Sequence, residues 1–239
     1  MFEAAKLGRK VSKDTFKDAE AALRTALLEA QFRAREVKQP IVVLIAGMEG
    51  AGKGQVVNRL NEWLDTRNLQ VHAFWDETDE QLGRPRFWRF WQALPPKGEI
   101  SILFNGWYQW PMEQRFLGNW NDADLARELS RIRDFERMLS EDGVLLVKFW
   151  YHFAEDVQRK RLKELQRSDR SRWKMLPKKS EFSTQYALFE HVAEQVVRDS
   201  DTGRSPWYII EAADTRYRDL TTGQTLLRVL ESRLGEGPT

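Results

Sequence analysis

The chain has 239 residues, which fits one α/β domain with insertions and is too short for two complete ones. Its 41% hydrophobic and 31% charged residues match a water-exposed globular protein, and the longest apolar runs, PIVVLIAG and GVLLVKFW, are far too short to span a bilayer, so no membrane is expected as a partner. The stretch after Met1, FEAAKLGRKVSKDTFKDAE, lacks the apolar segment of a secretory leader, so the cytoplasm is expected, and the absence of cysteine does not contradict it.

The predicted elements alternate. Apolar residues at helical spacing (Phe16, Ala19, Leu23, Leu27, Ala30) give an amphipathic helix over 14–37, capped by Ser12 or Asp14 and ended by Pro40. The β-branched run IVVLIAG reads as a strand buried on both faces. Next come a helix from Lys53 to about Asp65, a strand near 69–75, a helix over RFWRFWQAL and a strand EISILFN. Helices over about 107–117 and 122–139 lead to the strand GVLLVKFW. A basic helical segment, a helix over STQYALFEHVAEQVVRDS, a strand PWYIIEA and a helix GQTLLRVLESRL close the chain, and GEGPT reads as a linker or tail. This alternation predicts a parallel sheet with helices on both faces.

Gly47-Met48-Glu49-Gly50-Ala51-Gly52-Lys53 satisfies G-x-x-x-x-G-K directly after a buried strand and at the start of a helix, the context a phosphate-binding loop requires. Gly47, Gly50, Gly52 and Gly54 let backbone N–H groups converge on phosphate oxygens, and the lysine adds positive charge beside the helix N-terminus. The plain alternative, a glycine-rich turn with a solvated lysine, is disfavoured by the flanking strand and helix. The hydroxyl residue that normally follows the lysine and ligates magnesium is Gly54 here. Glu49 can supply an oxygen ligand in its place, although a solvated loop acid is the competing reading. A neighbouring strand commonly ends in a magnesium-binding aspartate; its counterpart is Asn105, an uncharged and weaker metal candidate that otherwise simply turns the chain while Trp107 and Tyr108 pack.

Arg159 to Lys179 carries ten Lys/Arg against two acids, a local charge of about +8 that leaves the rest of the chain near −6. A charge run is usually a solvated helix face, but this one lies beyond the GVLLVKFW strand, where phosphate-transferring α/β proteins carry a closing lid. An extended polyanion is its natural partner. Nucleic acid ranks lower, for want of a recognisable nucleic-acid module.

GMEGAGKG, RFWRFWQALPPKGEI, FNGWY, LLVKFWYHFAEDVQRKRL, RSRWKMLP and SPWYIIEAADTRYR, in that order, resemble the polyphosphate kinase 2 family over nearly the whole chain, and more narrowly the first of two fused copies in tandem polyphosphate:AMP phosphotransferases. The resemblance implies a P-loop kinase core similar to thymidylate kinase with a basic helical lid, and phosphoryl transfer between inorganic polyphosphate and an adenine nucleotide with Mg2+ and no covalent intermediate. It divides the chain into an N-terminal helical extension (1–39), a P-loop core (40–155), a lid (156–182), a completion of the core (183–234) and a tail (235–239). It implies a second fused kinase-like domain, or a homo-oligomer, as the protein partner. Lys53 matches the loop lysine. Glu49 matches a loop aspartate that positions metal and acceptor. Arg161, Arg172 and Lys174 fall on basic lid positions, whereas Leu176 and Lys179 replace a serine and an acid.

Where the family has Asp-Arg-Ser-Trp-Tyr, this chain reads Asn105-Gly106-Trp107-Tyr108, without the arginine. Losing one such charge-stabilising group typically costs on the order of a hundredfold in rate. Two functions therefore follow: a polyphosphate-dependent nucleotide kinase, or an impaired copy that keeps polyphosphate or nucleotide binding and acts structurally or as a regulator beside an active domain.

Overall fold

The computed structural model describes residues 1–167 and 185–235. Five parallel strands form one sheet: β1 (Ile41–Gly47), β2 (Leu69–Ala73), β3 (Ile100–Phe104), β4 (Leu145–His152) and β5 (Trp207–Glu211), in the order β2-β3-β1-β4-β5. β1 is central because all seven of its residues are buried, and its Val/Ile/Leu run leaves no polar face to offer water. Ile45 of β1 pairs with Phe104 of β3, and Gly47 pairs with Tyr151 of β4, so three strand ends meet at one edge of the sheet.

One face is covered by α1 (Lys13–Glu36), α2 (Lys53–Trp63) and α9 (Thr215–Gly235), and the other by α5 (Gln109–Phe116), α6 (Asp122–Glu141) and α8 (Tyr186–Ser200). Ser12 caps α1 by accepting from Thr15 N, and Asn121 with Asp124 forms a reciprocal capping box on α6, so both starts follow from local sequence. α7 (Glu155–Arg167) leaves the end of β4. Arg172, Lys174, Leu176 and Lys179 lie outside the described residues.

Two helices depart from the expectation. Only Trp88–Trp91 of RFWRFWQAL is helical, as α4, preceded by a short α3 (Asp79–Leu82). Pro95 disfavours helical backbone at Leu94, and the rings pack one by one: Phe87 stacks on Phe135 at 4.7 Å and Phe90 meets Trp107 edge-on at 5.6 Å. The last helix starts at Thr215, eight residues before Gly223. Asp214 supports this start by accepting from Tyr217 N at 2.8 Å. Threonines and a glycine within TRYRDLTTG read poorly as helix, yet Gly223 is where α9 touches the core: a Cβ there would lie 2.6 Å from the Trp63 ring.

One buried polar cluster ties α6 to β4. Glu136 accepts from Trp107 Nε1 at 3.0 Å, from the Tyr108 hydroxyl at 2.6 Å and from Lys148 Nζ at 2.8 Å. Burial lowers the Lys148 pKa and raises that of Tyr108 well above the usual tyrosine value. Trp107 and Tyr108 are thus packed, hydrogen-bonded residues of the core.

Candidate active site

The loop 47–53 sits at the C-terminal end of β1, between β3 and β4, in the crevice where open α/β sheets bind ligands. Its glycines are demanded by geometry. Gly47 has φ 146° and backs onto β4 so closely that a Cβ would lie 2.6 Å from Tyr151 N, while Met48 N donates to Tyr151 O at 2.9 Å. Gly52, which caps α2, has φ 79°, and the Arg218 guanidinium fills the space its side chain would need.

The loop carbonyls are all engaged. Lys53 Nζ donates to Gly47 O at 2.8 Å and Met48 O at 3.2 Å. Gln158 Nε2 donates to Glu49 O at 2.9 Å, Arg161 Nη1 to Gly50 O at 3.0 Å and Arg218 Nη1 to Ala51 O at 3.1 Å. Five consecutive carbonyls are held by side chains, which turns the opposite edge of the peptide units toward the cleft. The N–H groups of Gly50, Gly52 and Gly54 have no acceptor among the described residues. With the N-terminus of α2 behind them they form a concave nest whose free N–H groups can take an anion.

Lys53 is buried, and its ammonium lies 3.8 Å from Glu49 Oε2. The lysine therefore braces the loop through its carbonyls, with its charge beside the Glu49 carboxylate. Arg161 projects from α7 back onto the loop, and its Nη2 also donates to Ala212 O and Ala213 O at 2.7 Å, because the guanidinium is the group that can bridge the loop and the end of β5 at once. Burial, and then the neighbouring Arg218, lower its pKa.

Asn105 follows β3 and is buried, with φ 53° in the left-handed region where Asn is among the best tolerated non-glycine residues. At Gly106 a Cβ would lie 2.6 Å from Leu44 Cδ2, so a side chain there requires the end of that leucine to shift. Three residues that the sequence reading did not single out, Gln158, Arg218 and Tyr151, shape the loop; each is an ordinary member of a helix or strand in the sequence, with no local signal of its role.

The family model for polyphosphate kinase 2 matches residues 10–236. The chain belongs to the polyphosphate kinase 2 family. A polyphosphate:AMP phosphotransferase of Pseudomonas aeruginosa is 43% identical over 98% of this chain and 47% of its own length, and one of Pseudomonas syringae pv. tomato is 39% identical over 99% and 48%. This member thus spans about half the length of those two curated relatives. The crystal structure of a polyphosphate kinase 2 from Arthrobacter aurescens superposes with a TM-score of 0.87 at 25% identity, covering 96% of this chain and 83% of that one, which agrees with the P-loop kinase-like α/β fold.

The polyphosphate kinase 2 loop provides one carboxylate, Glu49, and the neighbouring strand end one amide, Asn105. No group of three or more His, Cys, Asp or Glu is poised for a metal among the described residues. This donor set fits a magnesium ion carried chiefly by substrate phosphates and water, with one protein carboxylate.

Proposed function

We propose that this domain transfers phosphoryl groups between inorganic polyphosphate and an adenine nucleotide, AMP or ADP, and that it corresponds to one copy of a tandem phosphotransferase. The observation that carries this reading is the loop whose five carbonyls are tied outward by side chains, Lys53 among them, leaving the N–H groups of Gly50, Gly52 and Gly54 to face an anion. Phosphoryl transfer needs positioning and charge stabilisation rather than a covalent partner, and such a nest supplies both. Lys53 steadies the transferring group, and Glu49 holds Mg2+ and orients the acceptor phosphate; when bound, the magnesium neutralises charge on the phosphate oxygens. Arg172 and Lys174 add positive charge toward the polyphosphate. Cysteine-free composition, and the absence among the described residues of a helix long and apolar enough to cross a membrane, support placing the protein in the cytoplasm.

A second reading rests on the strand end. With Asn105 in place of a carboxylate and Gly106 pressed on Leu44, the site has lost two charge-stabilising groups while the nest is intact, so binding can outlast catalysis. Incubating the protein with polyphosphate, magnesium and AMP or ADP separates the two. Transfer that disappears in Lys53→Ala supports the enzyme; retained polyphosphate binding without transfer supports the impaired copy.

A further inference from the structure

Two adjoining cavities of about 180 and 520 Å³ lie at the end of the sheet opposite the phosphate loop and share Ser140 and Arg204. They are cut between the second half of α6, the turn before β5 and the last turns of α9. Five arginines line the pair: Arg133, Arg137, Arg204, Arg228 and Arg233. The acids in the lining are Asp134 and Glu136, and Glu136 is already matched inside the fold by Lys148 at 2.8 Å. Glu141 stands beside the opening, 3.3 Å from Arg204 and 3.6 Å from Arg137. Counting Lys148 with the five arginines, against Asp134, Glu136 and Glu141, leaves three positive charges on one groove. The pairs that Asp134 and Glu141 make are between side chains more than half exposed, so water screens them and an incoming multivalent anion can displace them. Arg133 is held in place, with Nη1 donating to Asp199 O at 2.8 Å.

The chemistry recognised is repeated negative charge. Arginine forks suit phosphate oxygens, whereas the hydroxyls of Ser140 and Ser205 at the narrower end already donate to Glu136 and add no donor for a ligand. A nucleic acid would also need ring surfaces for its bases, but the aromatic ring in the lining, Tyr208, is turned toward Phe149 at 5.9 Å. Inorganic polyphosphate carries the charge without the bases.

We propose that this groove is a second polyanion site, holding a distant stretch of a long polyphosphate chain whose reacting stretch lies at the phosphate loop. The inference rests on the polyphosphate reading above. The strands separate the two sites by about 20 Å, from a rise of roughly 3.3 Å per residue, so a short oligophosphate occupies one site at a time and a long chain engages both. Joint engagement makes the second contact intramolecular and raises affinity with chain length, without any change at the loop.

The test is calorimetric titration of the whole 239-residue chain with tripolyphosphate and with polyphosphate of about a hundred units, for the wild type, Arg204→Glu/Arg228→Glu and Arg204→Lys/Arg228→Lys. Both side chains are exposed, and neither touches the phosphate loop. The expected result is at least a tenfold loss of long-chain affinity in the glutamate variant, with a shallower salt dependence, unchanged tripolyphosphate affinity and recovery in the lysine variant. Unchanged long-chain affinity in the glutamate variant overturns the proposal, as does an equal loss for both chain lengths. So does selective loss of binding to a single-stranded RNA of equal charge, which would make the groove a nucleic-acid site. Failure of nucleotide phosphorylation in the transfer assay, with long-chain binding still lost in the glutamate variant, would sink the catalytic reading and leave the groove standing.

Discussion

Arg218, buried on α9, donates from Nη1 to the carbonyl of Ala51 at 3.1 Å and fills the volume that any side chain at Gly52 would need. The same guanidinium donates from Nε to Asp219 at 2.8 Å. The phosphate loop is therefore clamped by an ion pair that never faces the cleft. Arg218→Met should break a buried pair and release the loop together, destabilising by about 3 kcal/mol, the low end for such pairs because Arg59 stays 3.6 Å from Asp219. Chemical denaturation reads the loss of stability, and a weakened affinity for tripolyphosphate reads the loosened loop.

Lys53 is the cation of the loop, bonded to its carbonyls at Gly47 and Met48. Its replacement by alanine should lower any phosphoryl-transfer rate on the order of a hundredfold or more and weaken polyphosphate binding. Secondary structure by circular dichroism should be unchanged, since α2 keeps its cap at Gly52.

At Asn105 the backbone has φ 53°, a conformation that aspartate also tolerates. Asn105→Asp should therefore fold and, by restoring a carboxylate at the strand end, raise magnesium-dependent transfer by roughly tenfold or more. Gly106→Arg should instead lower the melting temperature modestly, because its Cβ displaces the end of the Leu44 side chain. A melting scan beside a rate measurement tells the two effects apart; no gain in rate from Asn105→Asp would show that the amide is not what limits this site.

His152 ends β4 fully buried, stacked on Phe2 at 4.3 Å and 2.9 Å from Glu190 Oε1. Burial pushes its pKa down to about 4, although Glu190 opposes the shift. The ordinary histidine value is about 6.5, so between these limits the unfolded chain takes up a proton that the folded chain does not. The resulting stability is complete above pH 6.5 and is lost as pH falls toward 4, by up to about 3 kcal/mol. Urea midpoints across that range should show the slope, and His152→Phe should flatten it.

The sheet and the loop were legible in the sequence because their signals are local. A continuous β-branched run names the central strand, and G-x-x-x-x-G-K at its end names the nest, since each glycine answers a backbone demand at its own position. The ends of α4 and α9 were not legible: isolated aromatic packing shortened the first, and Gly223 against Trp63 lengthened the second despite poor helix formers.

By itself the sequence determined the fold class, the family and the position of the glycine-rich loop between β1 and α2. Only the tertiary structure decided what holds that loop open: Gln158, Arg161 and Arg218 reach it from more than a hundred residues away and satisfy its carbonyls one by one. It also decided that a side chain at Gly106 would meet Leu44 and that five scattered arginines share one groove. Side-chain bonds to backbone carbonyls and convergence across a sheet have no period and no spacing along the chain, so they come into being only when the strands and helices pack.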